Sequence, residues 1–277
     1  MTDPRPLTAG VVGWPITHSK SPRIFEHWFQ ENGIGGRYCH LAVQDHDFET
    51  VMKALPKAGF RGVNVTVPHK LNARRIADSA SEVAERMGAA NLLIFKESGE
   101  IHADNTDGYG FMENLTAGAP DWRPESAPAV VLGAGGATRA VVFALLAKGV
   151  PEVRVLNRTK EKSEELTRSF SRKVKALPWE ARSDVLFDAS LLVNSTSLGM
   201  TGSPALEIAL DNLPQGAVVT DLVYAPLETD LLAAARERGN RTVDGLGMLL
   251  HQARPAFKAW FGVDPVVDEA LREICLR

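Results

Sequence analysis

Two hydrophobic periods alternate along this chain. Short apolar runs, many of them β-branched, are separated by longer stretches in which apolar residues recur every three or four positions. Residues 9–13 read as a first strand, 22–30 as a helix stopped by Asn32-Gly33, 38–43 as an alternating strand and 48–55 as a second helix. Residues 62–67 are strongly β-branched, and 91–95 with 100–103 make a strand pair turned at Ser98-Gly99. Residues 116–128 break the rhythm: Gly118, Pro120, Pro124 and Pro128 mark the best linker in the sequence. Beyond it, apolar runs at 129–132, 153–156, 191–193 and 217–220, with helical stretches between them, predict a parallel sheet. From Asp244 to the C-terminus the pattern is helical, with Leu246, Leu249, Leu250, Ala253, Phe257 and Trp260 as its apolar positions.

The run 129–132 leads directly into Gly133-Ala134-Gly135-Gly136-Ala137, and a helical pattern opens at Thr138. Strand, glycine turn and helix together are the setting in which backbone N–H groups and a helix N-terminus receive a dinucleotide pyrophosphate. Because this unit starts in the middle of the chain, a whole domain lies upstream, and it should hold what the nucleotide acts on. The expected fold is therefore α/β with two domains. One is an N-terminal α/β substrate domain, 1–109, completed by 243–277. The other is a Rossmann-type doubly wound parallel sheet, 110–242, after which the C-terminal helices return to the first domain.

Size and charge narrow the function. A chain of 277 residues exceeds the usual single core. The formal net charge of −3 offers no basic field for nucleic acid or an anionic membrane. No apolar run reaches the roughly 18 residues a membrane helix needs, and residues 1–5 lack the basic-then-apolar layout of a secretory leader. Cys39 and Cys275 have no metal-type spacing, so no metal site is expected and the thiols read as incidental. A cytoplasmic enzyme acting on a small molecule is the expectation.

In NAD-specific sites an acid about 20 residues beyond the first glycine accepts from the ribose hydroxyls. Here the second strand ends in Asn157-Arg158-Thr159, followed by Lys160 and Lys162, with no acid. A guanidinium can bind a 2′-phosphate in bidentate fashion, and each charge-assisted hydrogen bond is worth roughly 1.5–3 kcal/mol. Arg158 therefore points to NADP. Asn194-Ser195-Thr196-Ser197-Leu198-Gly199-Met200 follows another apolar strand, at the end where ligands bind in such sheets; an ordinary loop with an Asx turn is the other reading.

Upstream, Ser19 and Ser21 stand two apart in His18-Ser19-Lys20-Ser21-Pro22 and could jointly donate to a carboxylate. Ser21 as N-cap with Pro22 at N1 also makes a standard helix start, but capping leaves Ser19 unexplained. In Asn64-Val65-Thr66-Val67-Pro68-His69-Lys70 the valines face one side and Asn64 and Thr66 the other. Polar groups on a buried strand need partners, which a polyol would supply, and Lys70 emerges at the strand's edge beside a structural His69. Asn105-Thr106-Asp107-Gly108 reads either as a helix start or as the place from which Asp107 orients the Lys70 ammonium.

Together these segments resemble the shikimate dehydrogenase family nearly end to end. The resemblance is carried by residues 13–22, 64–70, Gly88-Ala89-Ala90-Asn91, 105–108, 133–137, 157–159, Asp221-Leu222-Val223-Tyr224 and Asp244-Gly245-Leu246-Gly247-Met248-Leu249-Leu250-His251-Gln252. It implies reversible NADPH-dependent reduction of 3-dehydroshikimate to shikimate, in chorismate biosynthesis, with Lys70 and Asp107 as the catalytic pair. Ser19 and Ser21 match carboxylate-binding serines, Asn64, Thr66, Asn91, Asp107 and Gln252 match residues holding ring hydroxyls, and Tyr224 matches one near the nicotinamide. Gly133 to Ala137, Asn157, Arg158, Thr159, Lys162, Thr196, Gly245 and Met248 make the implied NADP set. Two departures stand out. Phe25-Glu26 replaces a common His-Asn, with an effect expected on helix packing only, and Lys162 replaces an Arg that often reinforces phosphate binding. A quinate/shikimate dehydrogenase with broader cofactor use and a non-catalytic shikimate-sensing relative are the alternatives. The sequence leaves monomer and homodimer open.

Overall fold

The structure, a computed structural model, describes residues 6–277; residues 1–5, the stretch considered for a leader, lie outside the described residues. The chain divides into two compact units, one running to Thr106 and resuming over Gln252–Arg277, the other Asp107–His251.

The first unit opens with β1 (Thr8–Gly13), α1 (Ser21–Glu31), β2 (Arg37–Ala42), α2 (Phe48–Ala54) and β3 (Phe60–Val65). It continues with α3 (Lys70–Ile76), β4 (Ser79–Ala80), α4 (Glu82–Met87), β5 (Leu92–Phe95) and β6 (Ile101–Asp104). Its six strands lie in the order β2-β1-β3-β5-β6-β4. β1 pairs in parallel with β2 and β3, and β5 is antiparallel to β3 and to β6, the latter as a hairpin turned at Gly99 (φ 88°) requires. Val12, Val63, Val65, Leu93 and Phe95 bury one face of this sheet against Phe48 and Met52 of α2.

The second unit contains α5 (Asp107–Gly118), β7 (Ala129–Leu132), α6 (Gly136–Ala147), β8 (Val153–Leu156), α7 (Lys160–Arg168) and β9 (Val174–Leu177). β10 (Leu191–Asn194), β11 (Val218–Asp221), α8 (Asp230–Glu237), β12 (Arg241–Val243) and the start of α9 (Leu246–Phe261) complete it. All six strands are parallel, in the order β12-β11-β10-β7-β8-β9. The order reverses direction between β7 and β10, and ligands bind outside the carboxyl ends of strands at such a switch point. Every residue of β7, β10 and β11 is buried, because separate clusters cover the two faces of the sheet. Burial on both faces is why these strands read as unbroken apolar runs. The expected linker is corrected at its start: residues 116–118 belong to α5. A Cβ on Gly118 would lie 2.8 Å from Val243, so the helix ends in close contact with β12. No helix among the described residues is long and apolar enough to cross a membrane.

The end of α9 and α10 (Glu269–Leu276) return the chain to the first unit. There Phe257 and Trp260 pack among Phe25, Trp28 and Phe29 of α1 in an aromatic cluster. Trp28 Nε1 donates to the Val266 carbonyl at 2.8 Å, and Trp260 Nε1 donates to the Leu93 carbonyl at 3.3 Å. The Trp260 contact depends on Gly62, since a Cβ there would lie 2.1 Å from Trp260 Nε1 and 2.2 Å from the Leu93 carbonyl oxygen. Overpacking of a filled core costs about 1–3 kcal/mol. Gly62→Ala is accordingly expected to lower stability by about that amount; an unchanged denaturation midpoint in urea would refute the close fit.

Candidate active site

In the first unit, the carboxyl ends of β1 and β3 lie side by side, and the polar motifs follow them. Thr66 N–H donates to the Val12 carbonyl at 3.0 Å, and His69 N–H returns to the Thr66 carbonyl at 2.9 Å, closing a tight turn. His69 is wholly buried: its ring stacks on Phe48 at 4.5 Å, Nε2 donates to the Val43 carbonyl at 2.8 Å, and Nδ1 lies 3.3 Å from Asp45. This anchor places Lys70, half-buried, as the first residue of α3. The Lys70 carbonyl accepts from Ala90 N–H at 2.9 Å, which ties the turn to the segment carrying Asn91.

Asn64 and Asn91 are buried, and their amides belong to one network. Asn64 Oδ1 accepts from the Tyr38 hydroxyl at 2.8 Å, and its Nδ2 donates to the Asn91 carbonyl at 3.3 Å. Asn91 Oδ1 accepts from Thr106 N–H at 2.8 Å, Asn91 Nδ2 donates to Gln252 Oε1 at 3.2 Å, and the Thr106 hydroxyl donates to the Gln252 carbonyl at 2.8 Å. Predicted residues from three distant stretches thus meet. Ser19 Oγ lies 3.2 Å from Ser21 Oγ. The capping reading of Ser21 is corrected: Ser21 is already the first residue of α1, the N-cap position falls on Lys20, and no side-chain cap bond forms there. The Lys20 ammonium instead reaches the Cys275 carbonyl. The Ser21 hydroxyl faces Ser19 and Tyr38.

The second unit holds the other group of predicted residues. Gly133 has φ 114°, and a Cβ there would lie 2.8 Å from Ser195 Oγ and 3.1 Å from Thr138 Oγ1, so the turn accepts only glycine. A Cβ on Gly135 or Gly136 would meet nothing within 4 Å: it would fill the open space in front of the backbone, where a bulky anion needs to approach. The turn is braced from behind. Gly135 N–H donates to Thr138 Oγ1 at 3.1 Å, Thr138 Oγ1 lies 2.8 Å from Ser195 Oγ, and Ser195 Oγ donates to the Leu132 carbonyl at 2.6 Å. A cavity of about 190 Å³ opens at this point. Gly133, Ala134, Gly135, Asn157, Arg158, Ser195 and Thr196 line it, as does Trp179, which no sequence motif announced. Gly136 and Ala137 form the first turn of α6, while Thr159 and Lys162 are exposed at the start of α7 and outside the cavity wall. The residues present therefore fit an adenine dinucleotide with an anionic group near Arg158.

Asp107 is buried at the first position of α5, and Gly108 beside it lets α5 approach α6: a Cβ would lie 3.1 Å from the Ala140 carbonyl oxygen. Tyr224 is half-buried beyond β11, and Met248 is half-buried against the core under the sheet. Gly245 has a packing reason for being glycine, since its Cβ would lie 2.4 Å from the Leu222 carbonyl oxygen.

Beneath the loops of this unit lies a wholly buried carboxylate, Asp221. Its Oδ1 accepts from Asn194 Nδ2 and from Val223 N–H, both at 2.9 Å, and its Oδ2 accepts from the Thr229 hydroxyl at 2.8 Å. Asn194 Oδ1 in turn accepts from Thr196 N–H at 3.1 Å and its hydroxyl at 2.7 Å, so Asp221 holds the Thr196 loop at one remove. Burial pushes the Asp221 carboxyl above its ordinary value, against the lowering effect of the Val223, Thr229 and Asn194 hydrogen bonds. Between the ordinary carboxylate value and the raised folded one, the native state binds more protons than the unfolded chain, so stability falls as pH rises through that window. In Asp221→Asn this decline is expected to disappear while Oδ1 keeps both N–H donors. Urea denaturation of both proteins between about pH 4 and 7 measures it, and parallel curves would refute it.

Comparison with known proteins agrees with this geometry. Three family models match: the shikimate dehydrogenase substrate binding domain over residues 11–93, shikimate / quinate 5-dehydrogenase over 121–203, and the shikimate 5′-dehydrogenase C-terminal domain over 245–274. A shikimate dehydrogenase (NADP(+)) from Ruegeria sp. (strain TM1040) is 53% identical over 276 residues, covering 100% of both chains. Shikimate 5-dehydrogenase from Thermus thermophilus, solved with NADP(H) and shikimate, is 36% identical, with a TM-score of 0.86 and 98% of each chain covered. Quinate dehydrogenase from Corynebacterium glutamicum, solved with NAD, is 30% identical, with a TM-score of 0.91 and 98% of this chain and 99% of that one covered. With full-length identity of this order and all three models in place, the chain belongs to the shikimate dehydrogenase family.

Proposed function

We propose that this chain is an NADP-dependent shikimate dehydrogenase that reversibly reduces 3-dehydroshikimate to shikimate, in the cytoplasm. Full-length relatives bearing that name support the activity and the cofactor, and the free thiols of Cys39 and Cys275 accord with a reducing compartment. One observation carries the assignment of the substrate: the buried amide and hydroxyl network of Asn64, Asn91, Thr106 and Gln252 adjoins the turn that presents Lys70. Fixed donors and acceptors of this kind suit a ring that carries several hydroxyls.

We assign the substrate to residues 1–109 with 243–277 and NADP to residues 110–242. Ser19 and Ser21 take the substrate carboxylate, and Asn64, Thr66, Asn91, Asp107 and Gln252 take its hydroxyls. The turn Gly133 to Ala137 receives the pyrophosphate, and Asn157, Arg158 and Thr159, with the charge of Lys162, receive the 2′-phosphate. Thr196, Gly245 and Met248 also serve the cofactor, and Tyr224 lies on its nicotinamide side. When bound, NADPH supplies the hydride. Lys70 delivers a proton to the ketone oxygen as it becomes a hydroxyl, and in the reverse direction Lys70 Nζ takes that proton back. Asp107 orients the ammonium.

Purified protein is expected to form NADPH from shikimate and NADP, with quinate or NAD markedly poorer; comparable rates with quinate or NAD would move it to the broader-specificity branch. General acid–base groups contribute about 10²–10⁴-fold. Lys70→Ala should lose turnover on that scale while its NADP dissociation constant, measured by fluorescence titration, stays put; an unchanged kcat would refute the role. Arg158→Ala should raise the KM for NADP about tenfold and leave that for NAD nearly unmoved, since one solvent-exposed charged contact is lost. Equal effects on both cofactors would remove Arg158 from phosphate recognition.

A further inference from the structure

Tyr38 belongs to none of the motifs that carry the family resemblance, and the network of the first unit begins at its hydroxyl. As a residue it is half-buried on β2, but the hydroxyl itself lies inside the unit. The hydroxyl donates to Asn64 Oδ1 at 2.8 Å. The single Tyr38 hydroxyl proton is committed to Asn64, which takes it as an acceptor. Burial pushes the Tyr38 phenol well above its ordinary value, with the Ser21 hydrogen bond opposing, so the hydroxyl keeps the proton that Asn64 needs.

The ring is held as firmly as the hydroxyl. Phe25 stacks on it with centroids 3.9 Å apart and planes at 16°, and Trp260 lies behind at 6.3 Å. Phe25, whose replacement of a common His was expected to touch helix packing only, thus also sets the place of Tyr38. Asn64, by contrast, is weakly held without Tyr38: its other side-chain anchor is the 3.3 Å bond to the Asn91 carbonyl. A side-chain amide is nearly symmetric in shape, and only its partners decide which end is oxygen and which is nitrogen.

We infer that Tyr38 is a positioning residue for the substrate site: its hydroxyl fixes the orientation of the Asn64 amide on the face that reads the substrate's hydroxyls. The inference rests on the proposed function, because it gives Asn64 a substrate hydroxyl to meet. Tyr38 touches no reacting atom and acts only through Asn64. The loss of one net hydrogen bond corresponds to roughly two- to tenfold in an equilibrium constant.

Tyr38→Phe deletes the hydroxyl and leaves the stacked ring. The expected result is roughly a three- to tenfold rise in the KM for shikimate, with kcat changed less than about twofold and the KM for NADP unmoved. On an Asn64→Ala background the same substitution should add no further loss. Hydrogen exchange of the Asn64 side-chain amide, followed by NMR in the free protein, should quicken in Tyr38→Phe. An unchanged shikimate KM, an undiminished penalty on the Asn64→Ala background, or unchanged amide exchange would each overturn the inference. Failure of the unmodified protein to turn over shikimate would sink the proposed function instead, and the amide exchange would then decide the role of Tyr38 alone.

Discussion

A buried amide with four hydrogen-bonding sites has to be met on every side, and Asn91 imposes that demand on the first unit. It is 2% exposed, and its backbone carbonyl accepts from Val65 N–H and Asn64 Nδ2 while its side chain engages Thr106 and Gln252. An unsatisfied buried donor or acceptor costs about 1–3 kcal/mol, and no hydrophobic contact at this position could substitute for it. The partners come from the end of β3, the last residues before α5 and helix α9, which are far apart in sequence. Satisfying Asn91, main chain and side chain together, therefore closes the unit and, by the same bonds, leaves its polar groups in a fixed arrangement.

The second unit reaches a comparable fixity through close backbone approach. Gly133 sits against Ser195 and Thr138, Gly245 against Leu222, and Gly247 against Asn114, whose Nδ2 donates to the Asp244 carbonyl at 2.7 Å. At each of these points a methyl group would displace backbone or a hydrogen-bonded side chain. Gly135 and Gly136 differ, because the space their missing side chains leave is open. Glycines in one motif thus do two jobs: some let the protein pack on itself, and others leave room for a ligand. Only the surroundings of each glycine separate the two.

That distinction marks how far the sequence could be read. The doubly wound sheet was legible because strands buried on both faces must be continuously apolar, and the glycine turn because strand, turn and helix adjoin in the chain. Arg158 was legible from an acid that is missing. The remainder depends on partners that local pattern does not encode. Ser21 followed by Pro22 has the local form of a helix cap, yet its hydroxyl faces Ser19 and Tyr38. Residues 116–118 look like linker because Gly118 is there, while the contact with Val243 draws them into α5. Tyr38 and Trp179 carry no signal at all: each is an aromatic in a short alternating or irregular stretch, and its meaning comes from residues distant in the chain. Asn194 and Asp221 were half-legible, as polar residues closing apolar strands, but nothing in the chain announces that they bond to each other.

Membership of a motif and contact with a ligand are accordingly different properties in this protein. Asp221 stands at the head of the stretch that ends in Tyr224, yet it is wholly buried and spends its oxygens on Asn194, Val223 and Thr229. His69 precedes Lys70 and is wholly consumed by Phe48, Val43 and Asp45. In both cases an inner residue fixes a loop so that its neighbour can face outward. Such pairs explain why substitutions at inner positions should register first in the geometry of the outer side chain, and hence in KM or in local exchange, and only secondarily in the chemistry. Tyr38 extends the same arrangement to a residue outside every motif: the aromatic cluster of α1 and α9 holds its ring, and its hydroxyl holds Asn64, two contacts away from that cluster.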